Sequence, residues 1–214
     1  MECSDTLGKV NREAPDESFG DQAPLSEDYL RQHTVGELAA SSSGSIHIVD
    51  YDPEWPHRFE REANRIRLVL GNRALRIEHA GSTAVPNLSA KPIIDVVLVV
   101  TDSAKETEYA VALERAGYQL RIREPGWHQH RMFKALEKDV NLHVFSTGCP
   151  EIGRMLAFRD RLRSSESDRE LYARSKRALA QQKWKYTQNY ADAKTAVIEE
   201  IMTRAQNSAA SKTD

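Results

Sequence analysis

Gly81-Ser82-Thr83 and Asp95 are the residues whose types and spacing could do chemistry. Glycine lets a backbone approach a ligand closely, and the hydroxyls and amides of Ser82 and Thr83 can cradle an anion. Alone, such a triplet is also an ordinary turn. Asp95 gives it weight, because it stands between Ile94 and Val96 in the apolar run PIIDVVLVV from Pro92 to Val100. An ionised carboxylate in that setting costs on the order of several kcal/mol unless it meets a cation or strong donors. The acid either serves a metal or a donor group of a ligand, or is held by backbone amides or an arginine. Twelve residues separate Ser82 from Asp95, which puts an anion-binding turn and an acid on adjacent elements. Lys91, a mobile point cation, leads into the acid's strand.

Other side chains carry weaker signals. Gly126 to Arg131 (GWHQHR) sets His128 and His130 on one face if extended. A flexible hairpin edge that covers the site is the better reading than a metal pair. Arg159, Asp160, Arg161 and Arg163 lie on one helical stretch, as a solvated face or as cations for a phosphate or carboxylate. Lys176, Lys183, Lys185 and Lys194 dot the later helices, where Trp184 and Tyr186 read as packing anchors. Ser82 lacks the Gly-x-Ser-x-Gly pattern of a hydrolase nucleophile.

Elements must position these residues. Pro92 to Val100 is β-branched and almost wholly apolar, so it reads as a central strand buried on both faces. Ile46 to Val49 reads as a short opening strand, and Leu75 to Glu78 as the strand before the turn. Glu54 to Leu70 carries Phe59, Ala63, Ile66, Val69 and Leu70 in a helical stripe closed by Gly71. Ser103 to Ala116 reads as a helix stopped by Gly117. Tyr118 to Ile122, Arg131 to Leu136 and Val140 to Phe145 read as strands. Helices follow near Pro150 to Arg163, Asp168 to Lys183 and Asn189 to Arg204. The fold class is α/β (or α+β), a mixed sheet with flanking helices and a C-terminal helical segment.

The 214 residues suffice for one domain with a good core. Residues 1–45 read as an acidic tail and linker, disordered except for a short helix around Tyr29 and Leu30 with Ser26 as its cap. Residues 46–206 form the folded domain, and 207–214 a disordered tail. The first forty residues hold nine acids against three bases. They carry −6 of the net −2, so the remainder carries +4. A mildly basic body suits an anionic small ligand, whereas the overall charge gives no case for nucleic acid or membrane. Cys3 and Cys149 fit neither a disulfide framework nor a zinc spacing, so a reducing cytoplasm is the expected compartment. No run of about 18 apolar residues is present, and the acidic start lacks a signal-peptide pattern.

The segment His79 to Asp95 (HAGSTAVPNLSAKPIID) closely resembles the signature of the GrpB family. Tyr51 to Pro56 (YDPEWP) resembles its opening motif, and Asn141 to Phe145 (NLHVF) with Phe158-Arg159-Asp160 resembles its later ones. Tyr172, Lys176 and the Tyr190–Lys194 pair fit its C-terminal helices. This resemblance implies a branch of the nucleotidyltransferase-fold superfamily, related to DNA polymerase beta. Some relatives are fused to dephospho-coenzyme A kinase, which implies a nucleotide-like ligand.

Active members of that superfamily pair two acids as Asp-x-Asp or Asp-x-Glu on one strand face, to hold two Mg²⁺ ions. This chain has Val97 in place of the second acid, and Asn141 and His143 where a third would stand. Oxygen-only Mg²⁺ coordination is therefore incomplete, and Asp95 with His143 better suits a transition metal. Asn87 stands where relatives often carry glycine; asparagine tolerates the positive φ such a turn requires.

The expected function is a group-transfer enzyme acting with a nucleotide or another phosphate-bearing small molecule. Gly81, Ser82, Thr83, Lys91, Arg159 and Lys176 would bind the phosphate. Asp95 would hold a divalent metal or orient the acceptor, and His79 and His143 would move a proton or ligate the metal. The alternatives are a noncatalytic nucleotide- or coenzyme A-binding regulatory module, and a ligase or amide-forming enzyme on the same fold.

Overall fold

The apolar run around Asp95 becomes an interior strand of a five-stranded mixed sheet. The computed structural model describes residues 26–37, 46–136 and 139–210. The strands are β1 (Arg76–Ala80), β2 (Ile94–Val100), β3 (Tyr118–Glu124), β4 (His130–Ala135) and β5 (Val140–Ser146), in the order β1-β2-β5-β4-β3. β2 is parallel to β5, and every other pairing is antiparallel. From Val96 to Val100 every residue of β2 is buried, as the lack of polar alternation demands.

The described helices are α1 (Glu27–His33), α2 (Glu54–Leu70), α3 (Ala110–Arg115), α4 (Pro150–Ser164), α5 (Glu166–Ala180), α6 (Thr187–Asp192) and α7 (Thr195–Ala210). Trp55, Phe59, Ala63, Ile66 and Leu70 recur every three or four residues in α2 and bury one stripe. That stripe, with Leu113 of α3, covers the sheet face bearing Val96, Leu98, Leu142 and Val144. On the other face, Ile152 and Leu156 of α4 pack on Ala80, Val97, Val99 and Phe145. A third cluster joins Val85 and Leu88, just after the glycine turn, to Leu162, Tyr172 and Ile201 of α4, α5 and α7. It seats the C-terminal helices beside the turn. This is the mixed sheet with flanking helices that the sequence implies.

Four sequence expectations are corrected. Ile46 to Val49 is no strand; its backbone makes a single bridge, Val49 to Ala90. The helix expected from Ser103 starts only at Ala110. Ser103 is buried, with its hydroxyl on Gln129 O and Ser146 Oγ and its carbonyl taken by Tyr109 Oη. The helix expected over Asn189 to Arg204 is broken at Ala193 and Lys194, and its second half runs on to Ala210 rather than ending before 207. Finally, 26–37 lie upstream of the expected boundary at 46 yet dock on β3. Val35 N donates to Arg121 O, Thr34 bridges Ile122, and Leu30 is buried. Ser26 caps α1 as expected, accepting from Tyr29 N. The tail and linker expectations for 1–25, 38–45 and 211–214 lie outside the described residues. Among the described residues no helix is long and apolar enough to cross a membrane.

Candidate functional site

β1 runs straight into the glycine turn, and antiparallel pairing sets Ala80 opposite Asp95. Gly81 therefore lands on the acid itself. Its φ is +68° with ψ −170°, a conformation open essentially to glycine alone. A Cβ placed there would lie 2.3 Å from Asp95 Oδ2. The turn and the acid thus form one site, as their spacing suggests. Ser82 to Ala84 continue as a single 3₁₀ turn.

Asp95 is the second residue of β2, at its open end rather than mid-strand, and its side chain is 27% exposed, within reach of a ligand. Parallel pairing puts Asn141 beside it, and Asn141 Nδ2 donates to Asp95 Oδ1 at 2.9 Å. His143, two residues on along β5, brings Nε2 to 3.7 Å from the same oxygen. Burial pushes the Asp95 carboxyl up, but His143 and the Asn141 hydrogen bond outweigh it and hold the group below its ordinary value. Asp95 is therefore a carboxylate at neutral pH.

Lys176 reaches in from α5. Its Nζ donates to Ser82 Oγ at 2.9 Å and to Ser89 O at 2.6 Å, and lies 4.7 Å from the Tyr172 ring centre. Burial pushes its ammonium well below the ordinary lysine value. Lys91 and Lys194 flank the Tyr190 ring at 5.8 and 5.1 Å. Burial lowers both, and Asp95 pulls each back up. Lys194 reaches this position because it falls in the break between α6 and α7.

His79 and Arg159 are placed elsewhere. His79 pairs with Val96, so it projects from the opposite sheet face to Asp95 and stacks on Phe59 at 4.7 Å. Its Nε2 meets Thr83 Oγ1, which donates to Ile93 O. Burial pushes His79 down to about 4, so it is neutral at pH 7. His79 and Thr83 brace the turn from behind; neither faces the acid. The Arg159 guanidinium is taken by Glu78, Asp160 and the His79 carbonyl, and holds the β1 edge. A groove of about 530 Å³ runs along that edge between His57, His79, Arg159 and Arg163, away from Asp95 and Ser82.

The hairpin histidines also separate. His128 sits at φ +51° in the β3–β4 turn, while His130 turns inward, with Nε2 3.1 Å from His143 Nδ1. Among the described residues no group of three or more His, Cys, Asp or Glu side chains could hold a metal ion. Val97 is fully buried in an apolar cluster, and Asn141 turns its amide donor, not its oxygen, toward Asp95. The residues present do not fit a resident divalent ion of the two-carboxylate kind.

A profile of the GrpB protein family matches residues 45–204. The chain belongs to the GrpB family. A UPF0157 protein of Halalkalibacterium halodurans is 56% identical over 191 residues, 89% of this chain and 97% of that protein. The crystal structure of the conserved protein GrpB from Enterococcus faecalis matches with a TM-score of 0.67 and 34% identity, over 76% of this chain and 98% of that one. A dephospho-CoA kinase of Mycolicibacterium paratuberculosis is 41% identical over 76 residues, 34% of this chain and 19% of that enzyme.

In this GrpB chain, sequence reading named Lys194 in the Tyr190–Lys194 pair without placing it at the site, missed Glu124, and preferred a hairpin-edge reading for His130. The spacing of Tyr190 and Lys194, one helical turn apart, was a usable signal for the first. Nothing local marks Glu124, which meets the others only through strand pairing.

Proposed function

We propose that this GrpB protein is a group-transfer enzyme acting with a nucleotide or another phosphate-bearing small molecule at the Gly81–Thr83 turn and Asp95. The observation that supports this most is Lys176, a buried ammonium that makes no ion pair among the described residues. Its Nζ donates into Ser82 Oγ, which also meets the Tyr172 hydroxyl, so the cation is fixed directly behind the glycine turn. Lys91 and Lys194 add two cations near Asp95, with Asp139 also acting on Lys91 and Asp192 on Lys194. A buried ammonium with no ion pair of its own among the described residues, next to two further lysines, favours an anionic guest. In this reading Asp95 orients the acceptor and His143 takes its proton. Cytoplasmic residence belongs to the same reading and is supported by the free Cys149.

A second reading, a noncatalytic nucleotide- or coenzyme A-binding module, draws on Val97, which leaves Asp95 without its usual acidic companion. The dephospho-CoA kinase likeness suits a nucleotide-like ligand under either reading.

A thermal-shift series with ATP and coenzyme A tests the shared claim. A ligand at a hundred times its dissociation constant adds about 2.7 kcal/mol to stability. Ser82→Ala removes one of the two hydrogen bonds of the buried Lys176 ammonium, so it is expected to lower the transition of the free protein modestly and to shrink the ligand-induced shift. Equal shifts in both proteins would remove Ser82 from the binding site. Conversion of ligand by the wild type, lost in His143→Ala with binding retained, distinguishes the enzyme from the module.

A further inference from the structure

One hydrogen-bonded chain crosses the sheet from α1 to the site. Tyr29 Oη donates to Glu124 Oε1 at 3.1 Å. Glu124 Oε2 lies 2.7 Å from His130 Nδ1, and His130 Nε2 lies 3.1 Å from His143 Nδ1. His143 Nε2 then faces Asp95 Oδ1 at 3.7 Å. The residues come from β3, β4, β5 and β2 in turn, and share one sheet face through the strand register. The His130 ring is clamped between Phe145, stacked at 4.8 Å, and the Trp127 edge at 5.3 Å.

The chain has a direction. Burial pushes Glu124 up, but its bonds to His130 and Tyr29 outweigh that and leave it ionised. A carboxylate only accepts, so His130 presents Nδ1–H to it. Burial keeps His130 neutral, and a neutral imidazole has one ring proton, so its Nε2 is a lone pair. That lone pair accepts, and His143 supplies Nδ1–H. In the neutral form of His143 the Nε2 is then bare, on the side facing Asp95, and in the protonated form Nε2–H faces that carboxylate.

We infer that Glu124 and His130 are positioning residues that fix His143 as its Nδ1–H tautomer, so that its bare Nε2 accepts the proton beside Asp95. In the transfer step the O–H or N–H proton of the acceptor passes to Nε2. The electron pair of that bond stays on the acceptor atom, which forms the new bond to the transferred group while the leaving group departs with its own pair. The imidazolium is faced by Asp95 directly and by Glu124 through His130. The use of the proton rests on the group-transfer reading; the tautomer does not.

The test is ring ¹⁵N NMR of the full chain labelled at histidine, at neutral pH. His143 and His130 are each expected to show a single Nδ1–H tautomer. Glu124→Gln, which can offer an N–H instead of a carboxylate, is expected to lose that single pattern at His143. A wild-type His143 proton on Nε2, or an unchanged His143 signal in a folded Glu124→Gln protein, overturns the inference. The wild-type spectrum decides alone if the variant does not fold. Titrating ATP into the same sample separates the two claims. A fixed tautomer with no response to any phosphate compound would sink the group-transfer reading and leave the positioning chain standing.

Discussion

Gly81→Ala is expected to destabilise the protein by about 3 kcal/mol and to abolish ligand binding. Two costs combine. The backbone at φ +68°, ψ −170° is a glycine region where other residues lose roughly 1–3 kcal/mol. The new Cβ would also stand 2.3 Å from Asp95 Oδ2 and 3.1 Å from Asp95 Cβ and Cγ, so the whole acid must move, a strain of about 1–3 kcal/mol. Moving Asp95 breaks its Asn141 hydrogen bond and its approach to His143. The urea midpoint measures the first effect and ligand titration the second. A loss below about 1 kcal/mol would mean that the turn relaxes without disturbing the acid.

Asp95→Asn separates shape from charge. Asparagine occupies the same volume and still accepts from Asn141 through its amide oxygen. Because the folded protein holds the Asp95 carboxyl below its ordinary value, the charge is favourable in the fold, and its removal is expected to lower stability at neutral pH. Ligand turnover, or binding if the site only binds, is expected to fall about 10²-fold or more, the scale of one lost electrostatic contact. A large stability loss with binding untouched would make Asp95 a structural acid.

Much of this site was legible because its strongest signals are local. A β-branched apolar run of strand length reads as an interior strand, as β2 is, and an acid in it must find donors. Glycine before two hydroxyls marks a turn that backbone geometry alone can demand. The stripe in Glu54–Leu70 gave α2 its observed bounds. What failed needed the register. His79 and Asp95 lie near each other, but the pairing of His79 with Val96 sends the ring to the opposite face, and a shift by one residue would have reversed that. Arg159 looked free on its helix, yet Glu78 and the β1 edge claim it. Ile46–Val49 has strand-forming residues but meets only one partner residue, so propensity had no ladder to join. The relay from Glu124 to His143 joins three strands and is visible only once they are aligned.

The central claim is that a phosphate-bearing ligand sits against Ser82 with Lys176 behind it. Calorimetric titration of ATP and of coenzyme A into the full chain and into Lys176→Met tests this most directly. Methionine keeps the apolar stem and removes the cation. The wild type is expected to bind at least one of the two compounds, and the folded variant to bind it about 10- to 100-fold more weakly, the weight of a charge-assisted contact of roughly 1.5–3 kcal/mol. Equal affinity in the two proteins, or no binding of either compound to the wild type, would contradict the account.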